Sequence, residues 1–450
     1  MGLNDIYEYI EENKEFYLHW LKELCQIPSI AAQNKGMIEA SEKVMELIQQ
    51  INGEGEIVPT SGFPVVYGRI NGNTDKTISF YNHYDVQPED PIHLWKYPPF
   101  EAIIDEGKMF ARGVADNKGN LIARIAAVHA YQQVRKKLPL NVKFIVEGEE
   151  EIGSIHLGEF SEKHPDLVQA DGCVWEFGYK NADGKHQVSL GVKGMTYVEL
   201  VCKGANTDLH SANAAVIENP AWRLLWALHT IKDEYENIKI EGFYDDVQSL
   251  SQEDLQAITD LEYSENETLA QLGLQKFLLD EKGDKLKERL IFSPTCNICG
   301  IVSGYTGAGS KTVLPSEARV KIDFRLVPNQ DPHKITHLLR KHLDKHGYED
   351  IEIIEMGLEK PAKTERNNTL AESIISMTEK VTGKKPTVMP MSPGTGPMYE
   401  ICQKFGIPSV SVGVGNFQSN NHAPNENIEI EDFITGIKLM AAVIEDYANR

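Results

Sequence analysis

Apolar positions near the N-terminus repeat at helical spacing. Ile6, Ile10, Tyr17, Leu21 and Leu24 share one face over residues 4–26, and a second amphipathic run covers 37–52. Short apolar runs at 57–58, 64–70 and 77–81 read as strands, followed by an amphipathic helix at 120–134 and a strand at 141–147. Strands alternating with helices predict an α/β fold, a mostly parallel mixed sheet flanked by helices. The texture changes after Gly191. Residues 195–203 alternate like a strand and 220–235 are helical, as is the Glu/Asp/Lys/Leu-rich stretch 245–290. Strands at 295–302 and 318–326, a helix at 332–346 and a strand at 351–355 complete an α+β pattern. Helix 368–382, a strand-like run at 408–414 and helix 431–447 return to the first texture. The predicted organisation is therefore an α/β domain in two parts, 1–192 and 363–450, with an inserted α+β domain at 193–362. No internal repeat or low-complexity linker interrupts it.

Charge narrows the class of protein. Against 45 Lys+Arg stand 67 Asp+Glu, a formal charge of −22, which argues against nucleic acid and against an anionic membrane surface. No apolar run approaches the roughly 18 residues of a membrane span. The acidic, amphipathic N-terminus does not resemble a secretory signal, and Ile6 stands where a myristoylation motif wants Ser or Thr. Six scattered cysteines form no disulfide framework. These features predict a soluble, cytoplasmic protein with no nucleic-acid or membrane partner.

Five polar clusters stand out against the apolar pattern. The first, Asn82-His83-Tyr84-Asp85-Val86-Gln87-Pro88, ends a strand-like run with His-x-Asp. A carboxylate there can orient a metal-ligating imidazole, or simply pair with a loop histidine. The second, Ala111-Arg112-Gly113-Val114-Ala115-Asp116-Asn117-Lys118-Gly119, precedes a helix, so Asp116 serves either a site or an N-cap. It lacks the phosphate-loop pattern. The third, Glu147-Gly148-Glu149-Glu150-Glu151-Ile152-Gly153-Ser154, crowds carboxylates at a strand end, which repel one another unless a cation or protons compensate. The fourth is Asp208-Leu209-His210-Ser211, and the fifth is the Gly/Asn loop from Gly413 to Glu426 that contains His422. Alone, each has an ordinary surface explanation, as does Arg325 inside a strand-like run. Together, two His, one Asp and two or more Glu after separate strands suit an O/N-ligated metal site, for zinc or for manganese or cobalt. Carboxylates bridging two ions about 3.5–4 Å apart would explain why so many acids converge. Cys296-Asn297-Ile298-Cys299 has the spacing of half a zinc site, but no second pair follows, and it reads as two separate small apolar residues.

In this order the clusters resemble the co-catalytic zinc aminopeptidase/carboxypeptidase superfamily, from about residue 20 to 440. That group includes carnosine-type dipeptidases, glutamate carboxypeptidases, aminoacylases and succinyl-diaminopimelate desuccinylases. H-Y-D-V-Q-P, D-L-H-S and F-R-L-V-P look most like the dipeptidase branch, while Ala111 replaces the first Gly of the second motif. The resemblance implies two divalent ions per subunit, zinc foremost. His83 would lie on one ion and Asp116 would bridge both, with Glu151 and His422 on the second. Glu150 would be the general base and Asp85 would orient His83. Glu149 fills a variable slot, although a register shifted by one would hand these roles to Glu149 and Glu150. Glu176 fits the remaining ligand, in a Trp-Glu-Phe-Gly context that departs from the dipeptidase pattern. The resemblance also implies a cis peptide before Asn117, and a homodimer formed through the inserted lid. His210 would reach the partner's active site to stabilise the oxyanion, and Arg325 with Gly394, Thr395 and Gly396 would hold the substrate's C-terminal carboxylate. The implied activity is hydrolysis of dipeptides or short peptides. An N-acyl-amino-acid or acyl-diamino-acid amidohydrolase, or an inactive binding protein that kept the fold, are the alternatives.

Overall fold

The structure, a computed structural model, describes residues 2–450. The chain divides into two compact units, one of Met1–Gly191, Lys363–Ser392 and Pro397–Arg450, the other of Val192–Ala362 and Pro393–Gly396. The first unit is built on an eight-stranded sheet. Its order is Glu54–Val58, Val65–Ile70, Asn141–Glu147, Thr77–His83, Gly172–Trp175, Ser409–Ser411, Gln187–Ser189 and Thr387–Met389. The four strands from Asn141–Glu147 to Ser409–Ser411 run parallel. Antiparallel pairings join them to the strands on either side. Every residue of Asn141–Glu147 is buried, so consecutive apolar residues at Phe144, Ile145 and Val146 replace an alternation, while the Lys143 ammonium reaches the Asp166 and Gln169 carbonyls at 2.7 and 2.8 Å.

Helices Asn4–Glu12, Lys14–Cys25, Gly119–Arg135, Thr369–Thr382 and Ile430–Asn449 pack together around one apolar core that includes Ile6, Leu21, Ile122, Ala126, Ile374, Ile437 and Ala441. A small residue on the last helix makes room for the segment after Ser409–Ser411: a Cβ on Gly436 would meet Val414 Cγ1 at 2.4 Å. The helix expected over 4–26 is two helices, broken at Asn13. Its side-chain amide donates to the Tyr9 carbonyl at 2.8 Å, offering the backbone a partner outside the helical ladder. The apolar run at 408–414 forms sheet only at Ser409–Ser411. Val412 and Val414 stay buried beyond the strand, and the Val414 amide donates to Asn120 Oδ1 at 3.0 Å instead.

The second unit carries an antiparallel sheet in the order Thr295–Ser303, Glu317–Leu326, Gly191–Lys203, Glu352–Glu359. Helices Pro220–Ile231 and Pro332–Lys345 cover it around Val198, Leu200, Leu224, Ile322, Phe324 and Leu339. The stretch 245–290 is not one helix but three, Gln252–Asp260, Glu265–Leu272 and Gly283–Phe292. Gly273 and Gly283, at φ +67° and +59°, punctuate it in the left-handed region that favours glycine. All six cysteines are unpaired, and no helix of the described residues is long and apolar enough to cross a membrane. A register shift in Thr295–Ser303 between Ile298 and Gly300 leaves Cys299 exposed, its thiol 2.9 Å from Asp323 Oδ2, while Cys296 is buried.

Candidate active site

The C-terminal ends of the parallel strands gather most of the predicted polar residues, as is usual for open α/β sheets. His83 is the last residue of Thr77–His83; Glu150 and Glu151 follow Asn141–Glu147; Glu176 follows Gly172–Trp175. Asp116 lies in the turn before Gly119–Arg135, and His422 lies in the loop after the short strand Gly415–Asn416, at φ +60°. Asp116 is the hub. Its Oδ1 is 3.2 Å from His83 Nε2 and its Oδ2 is 3.2 Å from His422 Nε2. His422 Nε2 is also 3.2 Å from Glu151 Oε2, and Glu176 Oε2 is 3.8 Å from His83 Nε2. The Asp116–Asn117 peptide is cis.

These carboxylates perturb one another in the expected directions. Burial, reinforced by Asp116, pushes the Glu176 carboxyl up to about 8, and burial pushes Glu151 up as well. Glu150 is driven well above the carboxylate range by burial and by the charges of Glu176, Glu151 and Asp116. Burial works against the His83 imidazolium, but Asp116 and Asp85 outweigh it and hold its pKa well above the usual value. Asp116 and Glu151 raise His422 to about 10. Asp116, flanked by both imidazoles, is held below the usual range despite its burial.

Several residues steady this cluster. The Asp85 carboxylate lies 3.4 Å from His83 Nδ1 and accepts from the backbone amides of Glu150 and Glu151 at 3.3 and 3.0 Å. It therefore touches both the histidine and the acidic turn. Glu149 points elsewhere, accepting from the amides of Phe63 and His156 and lying 2.8 Å from His156 Nδ1. Sequence reasoning passed over three partners. Gln87 donates to Glu151 Oε2 at 2.9 Å, and Asn421 donates to Asp116 Oδ2 at 3.1 Å. Glu426, 1% exposed, accepts from Arg112 Nη1 at 2.8 Å and from the amides of Gly113, Ala115 and Asp116 at 2.9, 2.9 and 3.0 Å. It ties the Asp116 turn to the His422 loop. The one available signal for it was a carboxylate four residues after a candidate ligand; the structure places it just before the strand Asn427–Glu429.

His210, Arg325, Gly394, Thr395 and Gly396 belong to the second unit. Exposed His210 accepts from the Ala212 amide at its Nδ1, 3.1 Å away, so the neutral ring carries its proton on Nε2 and presents a donor. Arg325, on Glu317–Leu326, donates to Thr395 Oγ1 at 2.6 Å, and Thr395 donates to the Gly194 carbonyl at 3.3 Å. Gly394 is exposed and Gly396 buried.

The profile of peptidase family M20/M25/M40 matches residues 79–446. The chain belongs to this family. The human Beta-Ala-His dipeptidase is 27% identical over 99% of this chain and 93% of its own length. The Cys-Gly metallodipeptidase DUG1 of Saccharomyces cerevisiae is also 27% identical, over 99% and 98%. Among solved structures, the M20 family metallo-carboxypeptidase Sso-CP2 from Sulfolobus solfataricus superposes with a TM-score of 0.93 at 42% identity, covering 96% of this chain and 99% of that one. The chain is thus a peptide hydrolase of a metal-using family, and the cluster fits a divalent cation on its own evidence. Glu176 Oε2 is buried with no hydrogen-bond donor. Asp116, Glu151 and His422 offer ligand atoms within 4.8 Å of one another. Imidazole and carboxylate donors are those that zinc, manganese and cobalt accept.

Proposed function

We propose that this protein is a metal-dependent exopeptidase that hydrolyses dipeptides or short peptides bearing a free C-terminal carboxylate. The observation that carries the reading is Asp116 set between His83 and His422, with Glu151 and Glu176 beside it. In this reading His83, Asp116 and Glu176 hold one ion, and Asp116, Glu151 and His422 hold a second, zinc foremost. When bound, the ions polarise the peptide carbonyl and acidify water. Glu150, its proton affinity raised by its neighbours, takes a proton from the attacking water and returns it to the departing amine. Asp85 holds His83 and the Glu150–Glu151 backbone in place during that transfer. His210 Nε2–H donates to the developing oxyanion. Arg325, steadied by Thr395 of the strand Ser392–Thr395, which includes Gly394 and is followed by Gly396, holds the substrate carboxylate by a two-pronged contact.

A homodimer formed through the second unit is part of the same proposal. Trp222 and Trp226 stack on an exposed helix face with ring centroids 6.1 Å apart, and Ile301 and Val302 are more than half exposed on the edge strand Thr295–Ser303. Large apolar side chains at a bare strand edge favour association. The six unpaired cysteines suit the cytoplasm.

Parallel assays of dipeptides and N-acyl amino acids, before and after chelation, test the function. Dipeptides are cleaved, chelation stops cleavage, and zinc, manganese or cobalt restores it. Faster turnover of N-acyl amino acids would make the protein a deacylase instead, and chelator-resistant cleavage would remove the metal from the reaction.

A further inference from the structure

Strands Thr77–His83 and Gly172–Trp175 pair in parallel only as far as Phe80 and Val174. Beyond that point the two chains carry His83 and Glu176 onward with no ladder between them, and a side chain from helix Gly119–Arg135 fills the place of the missing bonds. Arg124 Nη1 donates to the Tyr81 carbonyl at 2.5 Å and to Asn82 Oδ1 at 2.7 Å; Nη2 donates to the Glu176 carbonyl at 3.0 Å and to the Trp175 carbonyl. Arg124 is 1% exposed, and no ion pair to it occurs among the described residues. Its charge is met by carbonyl and amide oxygens and by the Phe80 ring, whose centroid lies 5.7 Å from its Cζ.

The network continues to the third ligand segment. Asn82 Nδ2 donates to Asn117 Oδ1, and Asn117 Nδ2 donates to the Glu176 carbonyl at 3.0 Å. Asn82 precedes His83 and Asn117 follows Asp116, so one guanidinium and two amides tie together the backbones that present His83, Asp116 and Glu176. A buried unpaired cation is costly unless several acceptors share it. Its retention beside an acidic cluster calls for a use that an apolar residue would not serve. The planar fork suits this place, because two nitrogens serve four acceptors on two strands at once, which an ammonium cannot do.

We infer that Arg124 is a positioning residue that wedges these two strands apart and sets the spacing of His83, Asp116 and Glu176, and thereby the affinity of the cation site they form. This rests on the metal reading above. Full-length protein, stripped by chelation, is titrated with zinc by calorimetry, and its cobalt(II) form is followed by visible absorption. Wild type takes up two equivalents. Arg124→Met and Arg124→Lys keep one equivalent at wild-type affinity and bind the other about 10–100-fold more weakly, as when an outer partner of a metal ligand is lost. The cobalt spectrum changes with the weakened equivalent. If Arg124→Met fails to fold, Arg124→Lys, which keeps the charge but not the fork, decides the question by itself. Variants that melt at a lower temperature but bind both equivalents like wild type would show a purely structural arginine and overturn the inference. A wild-type protein that takes up no zinc overturns the metal reading, and this inference with it.

Discussion

Glu150 and Glu151 are adjacent in the chain, yet their surroundings separate them. The Glu151 carboxylate meets His422 and Gln87, while that of Glu150 is buried beside the charges of Glu176, Glu151 and Asp116, which raise its proton affinity. Glu150→Gln keeps the size and removes the proton carrier. Turnover therefore falls about 10²–10⁴-fold while zinc stoichiometry, read by calorimetry, stays at the wild-type value; a lost equivalent would move Glu150 into the ligand set. Glu426→Gln sets an NH2 against backbone and guanidinium donors and leaves Arg112 uncompensated. Breaking such a buried pair costs about 3–5 kcal/mol, read as a drop in the urea midpoint. The motif residues were legible because chemistry clusters them within a few positions after apolar runs. Glu426 and Arg124 were not, since their partners lie far away in sequence and a single Glu or Arg carries no pattern.

Secondary elements were legible in proportion to how uniform their surroundings are. Strand 141–147 was read with the bounds it has, because both its faces are buried and a compact apolar run, Phe144–Val146, marks it. Phe144→Ala in that strand costs about 3–5 kcal/mol by denaturant titration, whereas Glu56→Ala, exposed on strand Glu54–Val58 at the sheet edge, stays within about 0.5 kcal/mol. Equal losses at both positions would contradict this view of the core. Pattern reading failed where one residue interrupts a periodic run. Asn13 bonds back to Tyr9 and splits the first helix, and two glycines with positive φ, Gly273 and Gly283, bound the gap before the last helix of the stretch 245–290. Hydrophobic periodicity averages over such single positions, so it carries the existence of a helix better than its continuity.

At the scale of the whole molecule, pH and assembly are the informative variables. His186 is 3% exposed, its Nδ1 has no hydrogen-bond partner, and burial, helped by Lys180, pushes its pKa down to about 4. The unfolded chain keeps an ordinary histidine near 6.5, so it binds more protons than the folded one between these values. Stability falls as pH drops through that window, by about 3 kcal/mol in full. Unfolding midpoints at pH 7 and pH 4.5 measure the slope, which His186→Gln should flatten; an unchanged slope would place it on other groups. Assembly is tested by mixing. If His210 serves the partner's site, His210→Ala and Glu150→Gln subunits, each inactive alone, regain partial activity as heterodimers. Proven heterodimers without activity would refute the trans arrangement.

The sequence by itself determined the fold class, most of the strands and helices, and the kinds of side chain available for chemistry. Those properties follow from local periodicity and from motifs a few residues long. Only the tertiary structure decided which carboxylates meet. It turned Glu149 toward His156 and Glu151 toward His422, put Asp116 between two imidazoles, and parted two strands around a buried arginine. The reason is geometric: hydrogen-bond and ligand distances near 3 Å depend on how separate strand ends are packed together, and periodicity along one chain holds no record of that.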